Sequence, residues 1–374
     1  MKYSSNQMQK VLILGSSGFI GSALIEEMYS KDFQISTVLR DFSKCGFISR
    51  FKKVEKKYFD PSNTTLLKKL ITENDIIINC IHDFGNQKFN ISLIKTICES
   101  IINEDKKLIH ISTISTYQPF INNQTINEST LFQNKTFQYA KNKNEIDEII
   151  VGYQTKEKIQ ATIIQPTIVY GKYSKPWTEK IINQLSNGKM VIPSDSGNCN
   201  LIHVKDLCNG IIKSIPKEYN NEKIIISNPE KISWIEFFEF FDSLFKDNRI
   251  IYQDSKLINK NLSNPLKLIK VILGDPKKAF MWEPMKSFLM QLKNKLTPKM
   301  KNLIKEVYSV YKKFSPLPVY FPDEMLMDVY LDNSNLNLNK MQKKLNFYPQ
   351  INFEEGKKMI KLYYDISYKP YIDE

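Results

Sequence analysis

Three of the twelve glycines fall within seven residues, Gly15-Ser-Ser-Gly18-Phe-Ile-Gly21, directly after the apolar run Lys10–Leu14. This spacing suits a backbone that turns tightly at the first glycine and approaches a pyrophosphate closely at the second. The third glycine lets helix pack on strand. Ser17, Gly18, Phe19, Ile20 and Gly21 would meet the phosphates where a helix over Phe19–Tyr29 begins, because a helix N-terminus offers N–H groups and a partial positive charge. The plain alternative is a tight βα turn. A second strand-like run, Gln34–Leu39, ends at Arg40-Asp41, with Lys44 nearby. An acid there would bind the ribose hydroxyls of NAD, whereas an arginine accommodates the 2′-phosphate of NADP. The chain has only three arginines (40, 50 and 249), so Arg40 favours NADP over NAD. Asp41 keeps NAD open, and a solvated surface charge is the other reading.

The elements that must position these residues alternate. Asp75–Ile81, Lys107–Ser112 and Gln160–Gln165 are further short β-branched runs, and helical stretches such as Asn90–Asn103 and Tyr139–Gly152 lie between them. Strand and helix in repeated alternation predict an α/β fold, a Rossmann-type doubly wound parallel sheet covered on both faces. Beyond about residue 230 helical stretches predominate, broken by prolines at 265, 276, 284, 298, 316, 318 and 322. The expected organisation is a dinucleotide-binding domain over 8–230 with a substrate-loop insertion around 171–200. A smaller, mainly helical substrate-binding lobe follows over 231–374.

Composition excludes several classes. The 374 residues are 42% hydrophobic and 25% charged, values of a folded globular protein and not of a disordered one. No apolar run reaches transmembrane length, and the first residues lack a signal-peptide pattern, so a cytoplasmic location is expected. Five cysteines without a CxxC pair suit reduced thiols, and with only three histidines no metal centre is expected. The net charge of +13 is local. Residues 255–316 hold 14 lysines against Asp275, Glu283 and Glu306, leaving the remainder of the chain at +2. A chain that coats nucleic acid would spread its charge differently, and lysine is a poor bidentate phosphate reader, so no specific nucleic-acid partner is expected.

The loop has the form GxxGxxG, and with Phe19 and Ile20 it resembles the extended short-chain dehydrogenase/reductases, the NAD(P)-dependent epimerase/dehydratase family. Leu14 stands where a threonine often precedes the first glycine. The resemblance implies a Ser or Thr, a Tyr, and a Lys four residues after the Tyr. Spacing alone would not find them: with 19 tyrosines and 50 lysines, about two to three YxxxK matches arise by chance, and four occur. Tyr219/Lys223, Tyr252/Lys256 and Tyr308/Lys312 lack a strand and hydroxyl pair ahead of them. Tyr139/Lys143 opens an amphipathic helix and follows a strand running into Thr113, with Ser112 and Ser115 as neighbouring rivals. The resemblance thus implies Thr113, Tyr139 and Lys143 as the catalytic set, with Thr113 holding a substrate oxygen while Tyr139 passes a proton. A free phenol titrates near 10, so reaching neutrality needs roughly 4 kcal/mol, which the Lys143 ammonium one turn along is expected to supply. Lys143 should also bond the nicotinamide ribose.

The same resemblance implies cofactor contacts at Asp60 near the adenine, at Ile81 beside the cofactor, at Asn90 in a segment like N-[VI]-x-G-T, and at Pro166 in Gln165-Pro166-Thr-Ile-Val-Tyr-Gly. Departures accompany it: Ile81-His82 replaces the usual Ala-Ala, Leu93-Ile94 replaces Gly-Thr, and Gln165 replaces an arginine. His203, in Asn200-Leu-Ile-His-Val-Lys-Asp206-Leu, reads as structural. The likeness covers 10–230, returns over Leu331–Gly356, and has no counterpart over 254–322. It implies a nucleotide-linked sugar as small-molecule substrate, epimerised, dehydrated or reduced with NADP or NAD. A reductase of a non-sugar or lipid-like carbonyl and a non-catalytic dinucleotide-binding scaffold are the alternatives. Many relatives pair through a helix bundle, so a homodimer is one expectation. The amphipathic pattern of Lys299–Phe314 is read either as helices on the substrate lobe or as a peripheral contact with an anionic membrane at its inner face.

Overall fold

The structure, a computed structural model, describes residues 8–117, 124–131, 137–262 and 318–369. Of the basic insertion 255–316, only 255–262 lies among them; the helices expected further along it, including Lys299–Phe314, lie outside the described residues. In chain order the elements are β1 (Gln9–Leu14), α1 (Phe19–Met28), β2 (Phe33–Leu39), β3 (Glu55–Tyr58), α2 (Thr64–Thr72), β4 (Ile76–Asn79), α3 (Gln87–Ser100) and β5 (Lys107–Ile111). They continue with β6 (Thr125–Ile126), α4 (Gln138–Lys156), β7 (Gln160–Pro166), β8 (Ile168–Tyr170), α5 (Lys180–Asn187), β9 (Lys189–Pro193), β10 (Leu201–His203), α6 (Val204–Lys213) and β11 (Glu222–Ile226). Then come α7 (Trp234–Asp242), β12 (Ile250–Gln253), α8 (Ser255–Leu262), β13 (Val319–Tyr320), α9 (Glu324–Tyr330), β14 (Asn335–Leu336) and α10 (Phe353–Ser367).

The chain divides into two compact units, and both are discontinuous in sequence. The first comprises residues up to Lys175 together with Asn200–Glu230 and Ser334–Gly356; the described parts of Pro176–Cys199, Lys231–Asn333 and Lys357–Glu374 make the second.

In the first unit seven parallel strands run in the order β11-β7-β5-β4-β1-β2-β3. This is the doubly wound parallel sheet that the alternating pattern predicts. Period-two side chains split each strand between two cores. Val11 and Ile13 of β1 pack with Leu24, Ile25 and Met28 of α1 and with Leu207 and Ile211 of α6. Leu12 and Leu14 face the other way, against Leu67, Leu70 and Ile71 of α2, Leu93, Ile94 and Ile97 of α3, and Ile146 and Ile150 of α4. Because the chain builds outward from β1 to β3 and then crosses back to β4, the strand order reverses between β1 and β4. Ligands of such sheets bind in the crevice at that switch point.

Residues 334–356 complete this unit. β14 pairs with β6. Asp206, in the first turn of α6, accepts the amides of Gln350 (3.1 Å) and Ile351 (2.8 Å), and Asn228 donates to the Ile351 carbonyl (2.9 Å). Leu338, Met341, Leu345 and Phe347 enter the core beside Leu207 and Ile224–Ile226. Gly356 sits directly against the Tyr170 ring, leaving no room for a Cβ.

The second unit holds a three-stranded parallel sheet, β12-β9-β13. Its apolar centre is aromatic. Trp234 is 1% exposed and meets Trp177, Phe237, Phe238 and Tyr330 at centroid distances of 5.4, 5.7, 5.8 and 4.7 Å. The Ser233–Glu236 capping box starts α7 and so fixes that tryptophan at its first residue. Among the described residues no helix is long and apolar enough to cross a membrane, and no group of three or more His, Cys, Asp or Glu could hold a metal.

Candidate active site

The glycine loop closes on the switch-point crevice. Gly15 has φ +84°, and a Cβ there would lie 2.9 Å from the Cys80 carbonyl carbon and 3.0 Å from the Ile81 nitrogen, at the end of β4. Only glycine meets both demands. Gly18 donates to the Gly15 carbonyl (3.0 Å) and caps α1 from an extended backbone, with no side chain supplying the cap. Gly21 packs against the Gly15 and Ser16 backbone. Ser17 and Gly18 are exposed, Phe19 and Ile20 half-buried. Ser16 is fully buried and accepts from Thr37 of β2 (2.6 Å), which ties the loop to the sheet. A pyrophosphate therefore has an uncapped helix N-terminus and a side-chain-free approach.

Arg40 emerges exposed just past β2. Asp41 beside it is spent locally: it accepts from the Ser43 amide (2.8 Å), and the Ser43 hydrogen bonds hold its carboxyl below the usual range. Asp60 follows β3 and is held low in the same way by Ser62, with the charge of Arg40 adding to the effect. The ends of β2 and β3 thus bring Arg40 and Asp60 into electrostatic reach of each other.

After β4 the chain is pinned by buried amides. The Asn79 Oδ1 accepts the Ile81 amide (3.1 Å), and its Nδ2 meets His110 Nδ1 (3.2 Å). Asn90 is buried in α3, which starts at Gln87 because Asn86 caps it. Its Oδ1 accepts from Asp83 N (2.8 Å), and its Nδ2 donates to Asp83 O (2.8 Å) and Gln87 Oε1 (3.2 Å). This amide shapes the loop that carries His82 and Phe84. His82 and Phe84 in turn frame Tyr139. His82 meets its ring edge-on at 5.3 Å, and Phe84, 78% exposed, stacks on it at 5.5 Å and 24°. Burial, with the nearby Lys143 charge, keeps His82 neutral, its pKa pushed down to about 3.

Thr113, Tyr139 and Lys143 come together. Of the three hydroxyls after β5, Thr113 is the one placed to hydrogen-bond the Tyr139 phenol. Ser112 turns inward to the Asp147 carboxylate (2.8 Å). Lys143 is buried, with its Nζ donating to the Ile111 carbonyl at 2.8 Å. Here the electrostatics differ from the expectation. The phenol is pushed up to about 12, because burial outweighs the Thr113 hydrogen bond, while Lys143 is pushed down to about 8 by the same burial. The ammonium is engaged at a strand carbonyl, and enclosure dominates both groups.

Pro166 ends β7 and is buried. Its neighbour Gln165 belongs to a network that sequence reasoning missed. Tyr117 Oη donates to Gln165 Oε1 (2.6 Å), and Gln165 Nε2 reaches Thr116 Oγ1 (3.1 Å) and Asp147 Oδ2 (3.2 Å). The available signal was spacing: Tyr139, Lys143 and Asp147 recur every four residues along α4, hence on one stripe. His203 takes the structural part read from the sequence, capping α6 through Lys205 N (3.3 Å). Among the other Tyr/Lys pairs, Tyr219 ends a short 3₁₀ turn and Tyr252 lies on β12, while Tyr308/Lys312 lies outside the described residues.

A parallel sheet with a glycine loop at its switch point and a Thr–Tyr–Lys set one strand away defines a dinucleotide-dependent enzyme class. The model of the NAD dependent epimerase/dehydratase family matches residues 11–227, more than half of the chain, and the chain belongs to that family, the extended short-chain dehydrogenase/reductase type. Solved structures share the fold. The dTDP-glucose 4,6-dehydratase of Bacillus anthracis str. Ames, in complex with NAD, is similar with a TM-score of 0.68 and 16% identity over 96% of this chain and 98% of that one. The UDP-glucose 4-epimerase of Thermotoga maritima with UDP-glucose gives 0.65 and 13% over 95% and 98%. The UDP-glucuronic acid 4-epimerase of Bacillus cereus with UDP-glucuronic acid and NAD gives 0.66 and 15% over 96% and 100%. No curated protein sequence matches the chain.

Proposed function

We propose that the chain binds a nicotinamide dinucleotide along the C-terminal ends of β1, β2 and β4 and acts on a nucleotide-linked sugar. Gly15, Ser17, Gly18, Phe19, Ile20 and Gly21 would hold the pyrophosphate, Arg40 and Asp60 the adenosine end, and Ile81, Asn90, Lys143 and Pro166 the nicotinamide side. The fit rests on the uncapped N-terminus of α1 and the side-chain-free floor over Cys80. When bound, the dinucleotide supplies hydride uptake and return. Thr113 orients the substrate hydroxyl, and Tyr139 exchanges its proton. From about 12, bringing the phenol near neutrality costs about 7 kcal/mol. Lys143 stands on the same helical stripe to favour the phenolate, and substrate binding must supply the rest. The observation that carries the reading is the Thr113–Tyr139 hydroxyl pair with a buried lysine four residues along the helix.

Two of the relatives named above, the dTDP-glucose 4,6-dehydratase and the UDP-glucuronic acid 4-epimerase, hold NAD, so they lend NADP no support; Arg40 is the residue on which the choice turns. A second reading, reduction of an apolar carbonyl compound, draws on Phe84, whose exposed ring covers the phenol. The two differ in cofactor balance, since an epimerase or dehydratase returns its hydride whereas a reductase consumes one reduced dinucleotide per turnover. The test is Tyr139→Phe, assayed on UDP- and dTDP-sugars by product NMR alongside calorimetric titration with NAD and NADP. Unchanged dinucleotide affinity with turnover reduced at least about 100-fold is expected. A wild-type chain that binds neither dinucleotide, or a Phe variant as active as wild type, refutes the proposal.

A further inference from the structure

We propose that Asp147 is a positioning residue for Lys143: its enclosed carboxylate, to which Gln165 brings an amide and not a cation, keeps the neighbouring ammonium charged and so bounds the pH range in which the Thr113–Tyr139–Lys143 set works. The inference deepens the reading above, because it takes Lys143 as part of that set.

Asp147 and Lys143 lie one turn apart on α4, and both are buried, Asp147 completely. The carboxylate is lopsided. Its Oδ2 accepts from Ser112 Oγ (2.8 Å) and Gln165 Nε2 (3.2 Å), while Oδ1 is enclosed with no hydrogen-bond partner. Gln165 cannot turn to relieve it without cost, since Tyr117 fixes its oxygen at 2.6 Å and Thr116 shares its amide. Every element packed here contributes a group. Ser112 comes from the end of β5, Thr116 and Tyr117 from the turn after it, Gln165 from β7, Lys223 from β11, and Tyr139 and Lys143 from α4 itself. Glu128 adds its charge at Tyr117.

Two cations act on Asp147, the half-buried Lys223 and the buried Lys143. In the other direction the relation is one-sided. Asp147 is the foremost charge favouring the ammonium of Lys143, ahead of Cys80, and the enclosed His82 and His110 are held neutral. Burial pushes Asp147 up and Lys143 down, which narrows from both sides the pH range in which both are charged.

The test needs no ligand. Full-length wild type, Asp147→Asn, Lys143→Met and the double variant are unfolded in urea from pH 5 to pH 9.5, and the coupling between the two positions is read at each pH. A coupling of about tenfold in the unfolding constant is expected near pH 7. It should vanish at pH 5, where Asp147 takes up a proton, and at pH 9.5, where Lys143 gives one up. No coupling at pH 7, or a coupling flat across the range, overturns the proposal. Gln165→Arg provides a second route if a charge deletion prevents folding. The guanidinium gives Asp147 a cation of its own, so the Lys143 titration midpoint should fall by about one pH unit. That midpoint is followed by ¹³C NMR on lysine-labelled protein, with the resonance identified by its loss in Lys143→Arg. An unmoved midpoint refutes the inference. Neither readout involves dinucleotide or substrate, so a failure here leaves the proposed function standing, and a chain without dinucleotide affinity leaves the coupling measurable.

Discussion

Replacing Gly21 by alanine sets two effects of known size against each other. Inside a helix, alanine is favoured over glycine by about 1 kcal/mol, so propensity alone predicts a more stable chain. The structure predicts the reverse. A Cβ at 21 would lie 2.8 Å from the Gly15 carbonyl carbon and 2.9 Å from the Ser16 Cα, with the Gly15 oxygen closer still. Carbon atoms rest at about 3.5 Å or more, so α1 would have to withdraw by about 0.7 Å at the least. The obstacle is backbone, and Gly15 cannot yield because it is itself wedged against Cys80. Overpacking of this kind costs about 1–3 kcal/mol, and a backbone trapped as this one is puts the cost in the upper part of that range, about 2–3 kcal/mol, which outweighs the propensity gain of about 1 kcal/mol. Gly152 in α4 is the control, because a Cβ there meets nothing within 4 Å. Urea unfolding should show Gly21→Ala destabilised by about 1–2 kcal/mol and Gly152→Ala stabilised by about 0.5–1 kcal/mol. Calorimetry should show dinucleotide affinity weakened in the first and intact in the second. A Gly21→Ala chain as stable as wild type would refute the close-approach argument.

Two further outcomes can be measured. If Arg40 receives a 2′-phosphate, Arg40→Ser should weaken NADP binding about tenfold while NAD changes less than about threefold; equal losses, or none, would remove Arg40 from cofactor choice. Trp234→Ala empties the aromatic centre of the second unit and strands the Val329 carbonyl that Trp234 Nε1 now meets at 3.1 Å. It should cost about 3–5 kcal/mol in urea unfolding, and a loss below about 1 kcal/mol would contradict the packing described.

The sheet was legible because its information is local. Each of these strands is a short β-branched run and each crossover carries its own helical period, so β1, β2, β5 and β7 fall within a residue or two of where the sequence places them, and β4 is shorter than expected. Helix starts were less legible: α3 begins three residues before Asn90, because the Asn86 side chain reaches the Phe89 amide (3.1 Å), a cap that periodicity cannot show. In the site, Thr113 separates from Ser112 and Ser115 only once the backbone turns, sending Ser112 to Asp147. The direction of the Tyr139 shift was misjudged from sequence because the spacing of Lys143 shows neither the Ile111 carbonyl that engages its ammonium nor the burial that dominates both groups. Gln165 was visible as a departure. Its consequence, a carboxylate left with one unanswered oxygen, needed the third dimension.

The return of residues 334–356 into the first unit has a consequence for how the chain is made. A ribosome releases the sheet, its glycine loop and α6 long before it reaches the residues that finish their core. Leu338, Met341, Leu345 and Phe347 are absent from the nascent unit for as long as some hundred residues take to synthesise, on the order of ten seconds. Throughout that interval Ile224 and Ile226 lack these apolar neighbours, and the Asp206 carboxylate lacks the Gln350 and Ile351 amides. The dinucleotide unit therefore closes late and out of sequence order, which gives chaperones a window on an almost finished sheet.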